Sequence, residues 1–180
     1  MFEDFVKHIA KWEGGYSNDP LDRGGETVRG ITWGTYQTIG PKLGFPATKE
    51  RFLKLTFDDF AKFVKYFWDR SSANEIRDKR NAAHITQLRW GNANRIPQFL
   101  NKIFAAKGIQ DRVPSDTLLT KQNIKNINSL NQDELFDTIH KLKMDHYEGI
   151  IRNDPSQSRF RTGWQRRAND FYNTFKKKTS

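Results

Sequence analysis

The 180-residue chain contains no cysteine. Disulfides and thiolate metal sites are therefore excluded, and a reducing compartment fits. No run of about 18 apolar residues occurs, so no helical membrane span is expected and no stable membrane insertion with it. The opening Met1-Phe2-Glu3-Asp4-Phe5 lacks the basic region and apolar core of a signal peptide. The expectation is synthesis in the cytoplasm without a cleaved leader. The histidines His8, His84, His140 and His146 form no tight ligand pair. Without cysteine beside them, no metal is expected, and no cofactor. There is no Walker-type glycine loop for nucleotides and no Gly-x-Ser-x-Gly elbow. Alternating β patterns are nearly absent. No internal repeat or low-complexity segment is present.

Apolar residues make up only 36 %, yet aromatics reach 13 %, with 14 Phe and 5 Trp. A few large rings bury much area, so a globular chain remains consistent with this polar average. The length suits one domain, or two small parts sharing a core. A net charge of +10 attracts polyanions. Nucleic acid, an anionic membrane face and bacterial cell wall all qualify. The basic residues are spread along the chain, and no recognition-helix motif accompanies them. Nucleic acid is therefore not the expected partner.

Helical periodicity is the main positive signal. Phe2, Phe5, Val6, Ile9 and Ala10 form a stripe that ends at Glu13. Thr56 can cap a helix presenting Phe57, Phe60, Ala61, Val64, Phe67 and Trp68. Residues 95–107 repeat the pattern and stop at Gly108. Asn131 caps a long helix, with Glu134 in capping-box position. A last helix carries Trp164, Ala168, Phe171 and Phe175. Residues 14–34 are glycine-rich and suit a short hairpin or an ordered loop. The expected class is mainly α.

The stretch Trp12-Glu13-Gly14-Gly15-Tyr16, then Asn18-Asp19-Pro20-Leu21-Asp22-Arg23-Gly24-Gly25-Glu26-Thr27, carries chemistry. It puts one carboxylate at a helix end, followed by a glycine-rich, acid-bearing loop. If the apolar stripe packs, it turns Glu13 inward. A carboxyl group held against apolar surroundings keeps its proton more readily, as a general acid must. Glycoside cleavage also needs a second group, a base or a nucleophile. Asp22 is a candidate. Asp19 precedes a proline and also suits a turn. Glu26 also suits a loop salt bridge. Thr27 can position a water or cap a turn. Gly14, Gly15, Gly24 and Gly25 permit positive φ or close backbone approach, letting a sugar chain lie against the main chain. Tyr16, Trp33, Tyr36 and Trp68 offer rings for sugar stacking, or for the core.

These residues resemble the glycoside hydrolase family 108 lysozymes, the N-acetylmuramidases of phages and bacteria. Their first helix also ends in Glu-Gly-Gly-Tyr, and an Asn-Asp-Pro…Gly-Gly-x-Thr loop follows. The resemblance runs through Gly30-Ile31-Thr32 and Tyr66-Phe67-Trp68-Asp69. It returns at Phe160-Arg161-Thr162-Gly163-Trp164-Gln165-Arg166-Arg167, similar to the ending of the family's peptidoglycan-binding-like half. It implies a lysozyme-like helical fold, with residues 1–92 catalytic and 93–180 a helical part packed on them. It implies Glu13 as the catalytic glutamate. A second type of phage lysozyme spaces Glu, eight residues, Asp, five residues, Thr. Glu13 and Asp22 reproduce the first gap, and Thr27 comes one residue early. The implied catalytic set is Glu13, Asp22 and Thr27. The implied substrate contacts are Gly14, Gly15, Tyr16, Asp19, Glu26, Trp33 and Trp68.

The middle departs from the family. Asp-x-x-Val-Asn-x-Gly is replaced by Gln87-Leu88-Arg89-Trp90-Gly91-Asn92-Ala93-Asn94. The Asp-Gly-x-x-Gly-x-x-Thr loop becomes Asp111-Arg112-Val113-Pro114-Ser115-Asp116-Thr117, without its glycines. The resemblance implies a monomeric peptidoglycan hydrolase that acts on the cell wall. It leaves a second reading open, a weakly active or inactive wall-binding accessory protein for secretion, conjugation or phage release.

Overall fold

A computed structural model describes residues 1–18 and 25–178. The chain forms two compact units, Phe2–Phe67 and Trp68–Ser180. The boundary falls inside a helix.

In the first unit, α1 spans Phe2–Trp12 and buries Phe5, Val6, His8 and Ile9. Three two-residue strands follow: β1 (Tyr16–Ser17), β2 (Thr27–Val28) and β3 (Ile31–Thr32). They form an antiparallel sheet in sequence order, with Tyr16 opposite Val28 and Val28 opposite Ile31. The hairpin alternative for the glycine-rich stretch is thus the one formed. Helix α2 (Trp33–Ile39) is capped by Thr32, whose hydroxyl accepts the Thr35 N–H. A 3-10 turn, Gly40–Leu43, and the short α3 (Lys49–Leu53) lead to α4 (Phe57–Arg70). The core is largely aromatic. Tyr36 stacks on Phe63 and tilts against Phe45 and Phe52, with centroids 5.4–6.3 Å away. Its hydroxyl donates to the Pro46 carbonyl at 2.6 Å.

Thr56 does cap α4, and more completely than its position alone implies. Its hydroxyl accepts the Asp59 N–H at 3.1 Å, and the Asp59 carboxylate accepts the Thr56 N–H at 3.0 Å. Arg51 donates to the same carboxylate at 2.7 Å. Burial alone would raise the Asp59 pKa. The hydrogen bonds from Thr56 and Arg51 outweigh it and hold the carboxyl below its ordinary range.

The second unit contains α5 (Lys79–Asn92), α6 (Arg95–Ala106), α7 (Lys121–Ser129), α8 (Gln132–Asn153) and α9 (Arg161–Phe175). Helix α5 packs against α6 and α8, and α8 against α9. Helix α6 ends as its glycine implies. Gly108 takes φ 69°, its N–H donates to Ala105, and the Ile109 N–H donates to Phe104, which is a Schellman closure. Asn131 caps α8 through the Glu134 N–H. The Glu134 carboxylate itself meets Lys107.

Helix α5 is buried on nearly every side from Asn81 to Arg89. Its polar side chains find partners inside. Arg89 donates to Ser71 and twice to Thr117. Asn81 donates to the Gln132 side chain and carbonyl. Gln87 accepts a 2.6 Å bond from Lys143, whose ammonium also lies 3.3 Å from His84 Nε2. Burial pushes the Lys143 pKa down to about 7 and holds His84 well below its ordinary value.

Candidate active site

Glu13 follows α1 directly, and its N–H still donates to the Ile9 carbonyl at 3.1 Å. The last helical turn therefore sets its direction. The stripe does not carry it into the core, as the periodicity implied. The helix stops at Trp12 and Glu13 is half-buried. The chain unwinds at Gly14 and Gly15, both of poor helix propensity.

What meets the carboxylate is the turn between β2 and β3. Arg29 and Gly30 take φ values of 53° and 81°, both positive, as a two-residue type I′ hairpin requires. A β-carbon on Gly30 would overlap Glu13 Oε2 and stand 2.5 Å from Cδ and 2.7 Å from Cγ. Only a glycine lets the backbone approach so closely. Gly30 belongs to the quoted motif, but its role is legible only once the hairpin is formed. Gly14 and Gly15 make no such contact within the protein. A β-carbon at either of those two would meet nothing within 4 Å. Gly25 does take positive φ, at 68°.

The turn is tied at two points. The Arg29 N–H donates to the Gly15 carbonyl at 3.0 Å, beside the end of β1. The Arg29 Nε donates to the Leu55 carbonyl, also at 3.0 Å.

Thr27 lies half-buried in the central strand, opposite Ser17 and Thr32. Glu26 pairs with Lys49 at 2.9 Å, the salt-bridge role open to it. Lys49 also sits 4.6 Å above the Trp33 ring. Trp33 stacks on Tyr36 and tilts against Phe52, and remains half-buried. Tyr16 is 59 % exposed. Asp19, Asp22 and Gly24 lie outside the described residues.

Two ring expectations are corrected. Trp68 is 4 % exposed, and its Nε1 donates to Asn74 at 2.9 Å. It has no open face for a sugar. Tyr36 is fully buried, which pushes its phenol pKa up. Among the described residues no group of three or more His, Asp or Glu is placed to hold a metal.

In the second unit, the motif at 160–167 builds a stack. Trp164 stacks with Tyr147 and with Phe160, with centroids 5.4 and 5.7 Å away, and Arg159 covers Phe160. Asp111 of the glycine-poor loop accepts from Asn123 and Asn126 at 2.8 and 2.9 Å. Arg112 and Ser115 then line an open groove of about 610 Å³ with Gln98 and Lys102 of α6.

Residues 6–90 match the family described as Glycosyl hydrolase 108. That span includes α1 from Val6 onward, Glu13 and the whole hairpin. It supports a glycosyl hydrolase 108-like domain over those residues, and with it a glycoside hydrolase. The match ends at Trp90, so the wall-binding expectation for the remainder rests on the sequence resemblance alone. No curated protein matches the chain. A solved structure of SagA from Brucella abortus is similar, with a TM-score of 0.74 at 18 % identity, covering 98 % of this chain and 96 % of that one. At that identity the likeness speaks for the fold. The mainly α, lysozyme-like fold with a small hairpin after the first helix stands on it. No helix among the described residues is long and apolar enough to cross a membrane.

Proposed function

We propose that the chain is a peptidoglycan hydrolase cutting the bond between N-acetylmuramic acid and N-acetylglucosamine, with Glu13 as general acid. The observation that carries this reading is the half-exposed Glu13 carboxylate, held at a helix end against a glycine of a hairpin, inside the span matching Glycosyl hydrolase 108. A proton passes from Glu13 to the glycosidic oxygen as the bond from that oxygen to the sugar carbon breaks. Water adds to that carbon, and a second group orients it or first takes its place as nucleophile. Asp22 is the leading candidate for that group, and the Thr27 hydroxyl is the candidate for orienting water. Asp19 and Glu26 are the other acids of the loop.

Gly14 and Gly15 leave open backbone along which a glycan can lie, and the exposed Tyr16 ring offers a face for stacking. Trp33 is the second aromatic contact. Residues 1–92 form the catalytic part in this reading, and 93–180 support it. The protein acts on the cell wall.

The test is clearance of purified peptidoglycan, followed by turbidity. Glu13→Gln keeps the shape and removes the acid, so the rate should fall on the order of 10²–10⁴-fold with the fold intact. A Gln variant that clears at the wild-type rate takes Glu13 out of the mechanism.

A further inference from the structure

We infer that Arg29 is a positioning residue for Glu13, acting through a latch from its Nε to the Leu55 carbonyl that fixes the hairpin turn on which the carboxylate rests. The inference rests on the reading of Glu13 as the general acid. Four observations carry it.

The first is that an arginine stands where the turn favours Asn, Asp or Gly. Its φ of 53° is left-handed, a conformation that costs an ordinary L-residue about 1–2 kcal/mol. The backbone does not call for arginine here, so its side chain is the part to explain. The second is the 3.0 Å bond from Nε to Leu55, spanning 26 residues of chain.

The third is that Leu55 is a fixed point. Its side chain is buried, its N–H donates to Phe52, and the next residue is Thr56, locked to Asp59 and through it to Arg51. The fourth is that Gly30 adjoins Arg29 and that the Glu13 carboxyl group occupies the space a β-carbon on Gly30 would fill. A shift of the turn therefore moves the backbone surface on which the carboxylate rests. Displacing a reacting group by about 1 Å can cost on the order of 10²-fold in rate. Substrate affinity, set by the wider cleft, need not change.

The test compares two variants of equal backbone demand. In Arg29→Gln the amide nitrogen sits the same number of bonds from Cα as the arginine Nε, so it can still donate to Leu55. Arg29→Met has similar length and no donor. Purified full-length variants are assayed on peptidoglycan beside wild type and Glu13→Gln, with melting followed by circular dichroism. Arg29→Met should lose about tenfold in kcat with KM within about twofold, while Arg29→Gln stays within about threefold of wild type.

Equal kcat for the Met variant and wild type overturns the inference, and so does an equal loss in both variants. A change in KM alone overturns it too. If Arg29→Met does not fold, Arg29→Asn replaces it. Asparagine adopts the left-handed conformation readily and is too short to reach Leu55. If that variant is unfolded as well, the latch holds the fold rather than the acid, and the inference fails. An inactive wild type, or an active Glu13→Gln, sinks the functional reading and this inference with it. An inactive Glu13→Gln beside an unaffected Arg29→Met sinks only the latch.

Discussion

The Glu13 carboxyl group fills the space that a β-carbon on Gly30 would need, so that residue 30 has no room for a side chain. The hairpin backbone at Gly30 is thus one of the surfaces that place the acid. Its position thus depends on a two-residue turn, and the turn on its anchors at Gly15 and Leu55.

Gly30→Ala should therefore damage activity beyond its effect on stability. Gly25 supplies the control. Its φ of 68° is similarly left-handed, but a β-carbon there meets nothing within 4 Å. Each alanine should cost about 1–2 kcal/mol for the strained backbone. That is a fall of roughly 2–8 °C in the melting midpoint for a chain of this size. Only Gly30→Ala should also move Glu13, with a loss on the order of 10²-fold in lytic rate. Equal activity in the two variants would remove the close approach as the cause.

The sequence exposes some of this and hides the rest for physical reasons. Helices α1, α4, α6 and α8 each bury one stripe, so periodicity reveals them. Helix α5 buries nearly all of its middle, and a helix buried all round has no stripe. It also reads as polar, because Asn81, His84, Gln87 and Arg89 find their partners in residues distant in sequence: Gln132, Lys143, Ser71 and Thr117. Helix α2 is too short for its period to register, and strands of two residues show no alternation. The ring of Trp68 looks available in sequence because Asn74, its hydrogen-bond partner, is fixed only by the turn after α4. Glu13 stands out as a candidate from its motif. Gly30 was not legible as its support, because the contact requires the hairpin.

Asp59→Asn should destabilise the first unit in a pH-dependent way. The folded carboxyl titrates below the ordinary value of 3.8, held there by Thr56 and Arg51 against burial. A depressed acid stabilises above its unfolded pKa, and that contribution is lost as pH falls through the folded value. The asparagine variant keeps a cap for α4 but loses the charge facing Arg51. At pH 6 it should be less stable than wild type by about 1–3 kcal/mol. The gap should close on acidification below pH 3.8. A gap that is constant from pH 6 to pH 2 would mean the ionised pair is not its source.

Lys143→Met should have the opposite pH signature. Lys143 is 4 % exposed, donates to Gln87 Oε1, lies beside His84 Nε2, and its ammonium is 4.8 Å from the Phe171 ring. Burial comes first in lowering its pKa to about 7, with the positive charges of Arg167 and Arg95 adding to it. The unfolded lysine holds its proton up to about 10.5. Between these values the unfolded chain binds more protons, so wild-type stability rises with pH across the window from about 7 to 10.5. Below it the full cost of burying the amine applies, on the order of 5 kcal/mol. Above it none applies. Methionine removes that cost at every pH, but leaves the buried Gln87 oxygen without its donor, at about 1–3 kcal/mol. The variant should therefore be more stable than wild type at pH 7 and less stable at pH 10.5. Urea unfolding at pH 7, 8.5 and 10 measures the difference directly. A difference that does not shrink as pH rises would show that Lys143 stays charged in the folded core, stabilised by partners stronger than Gln87 and His84.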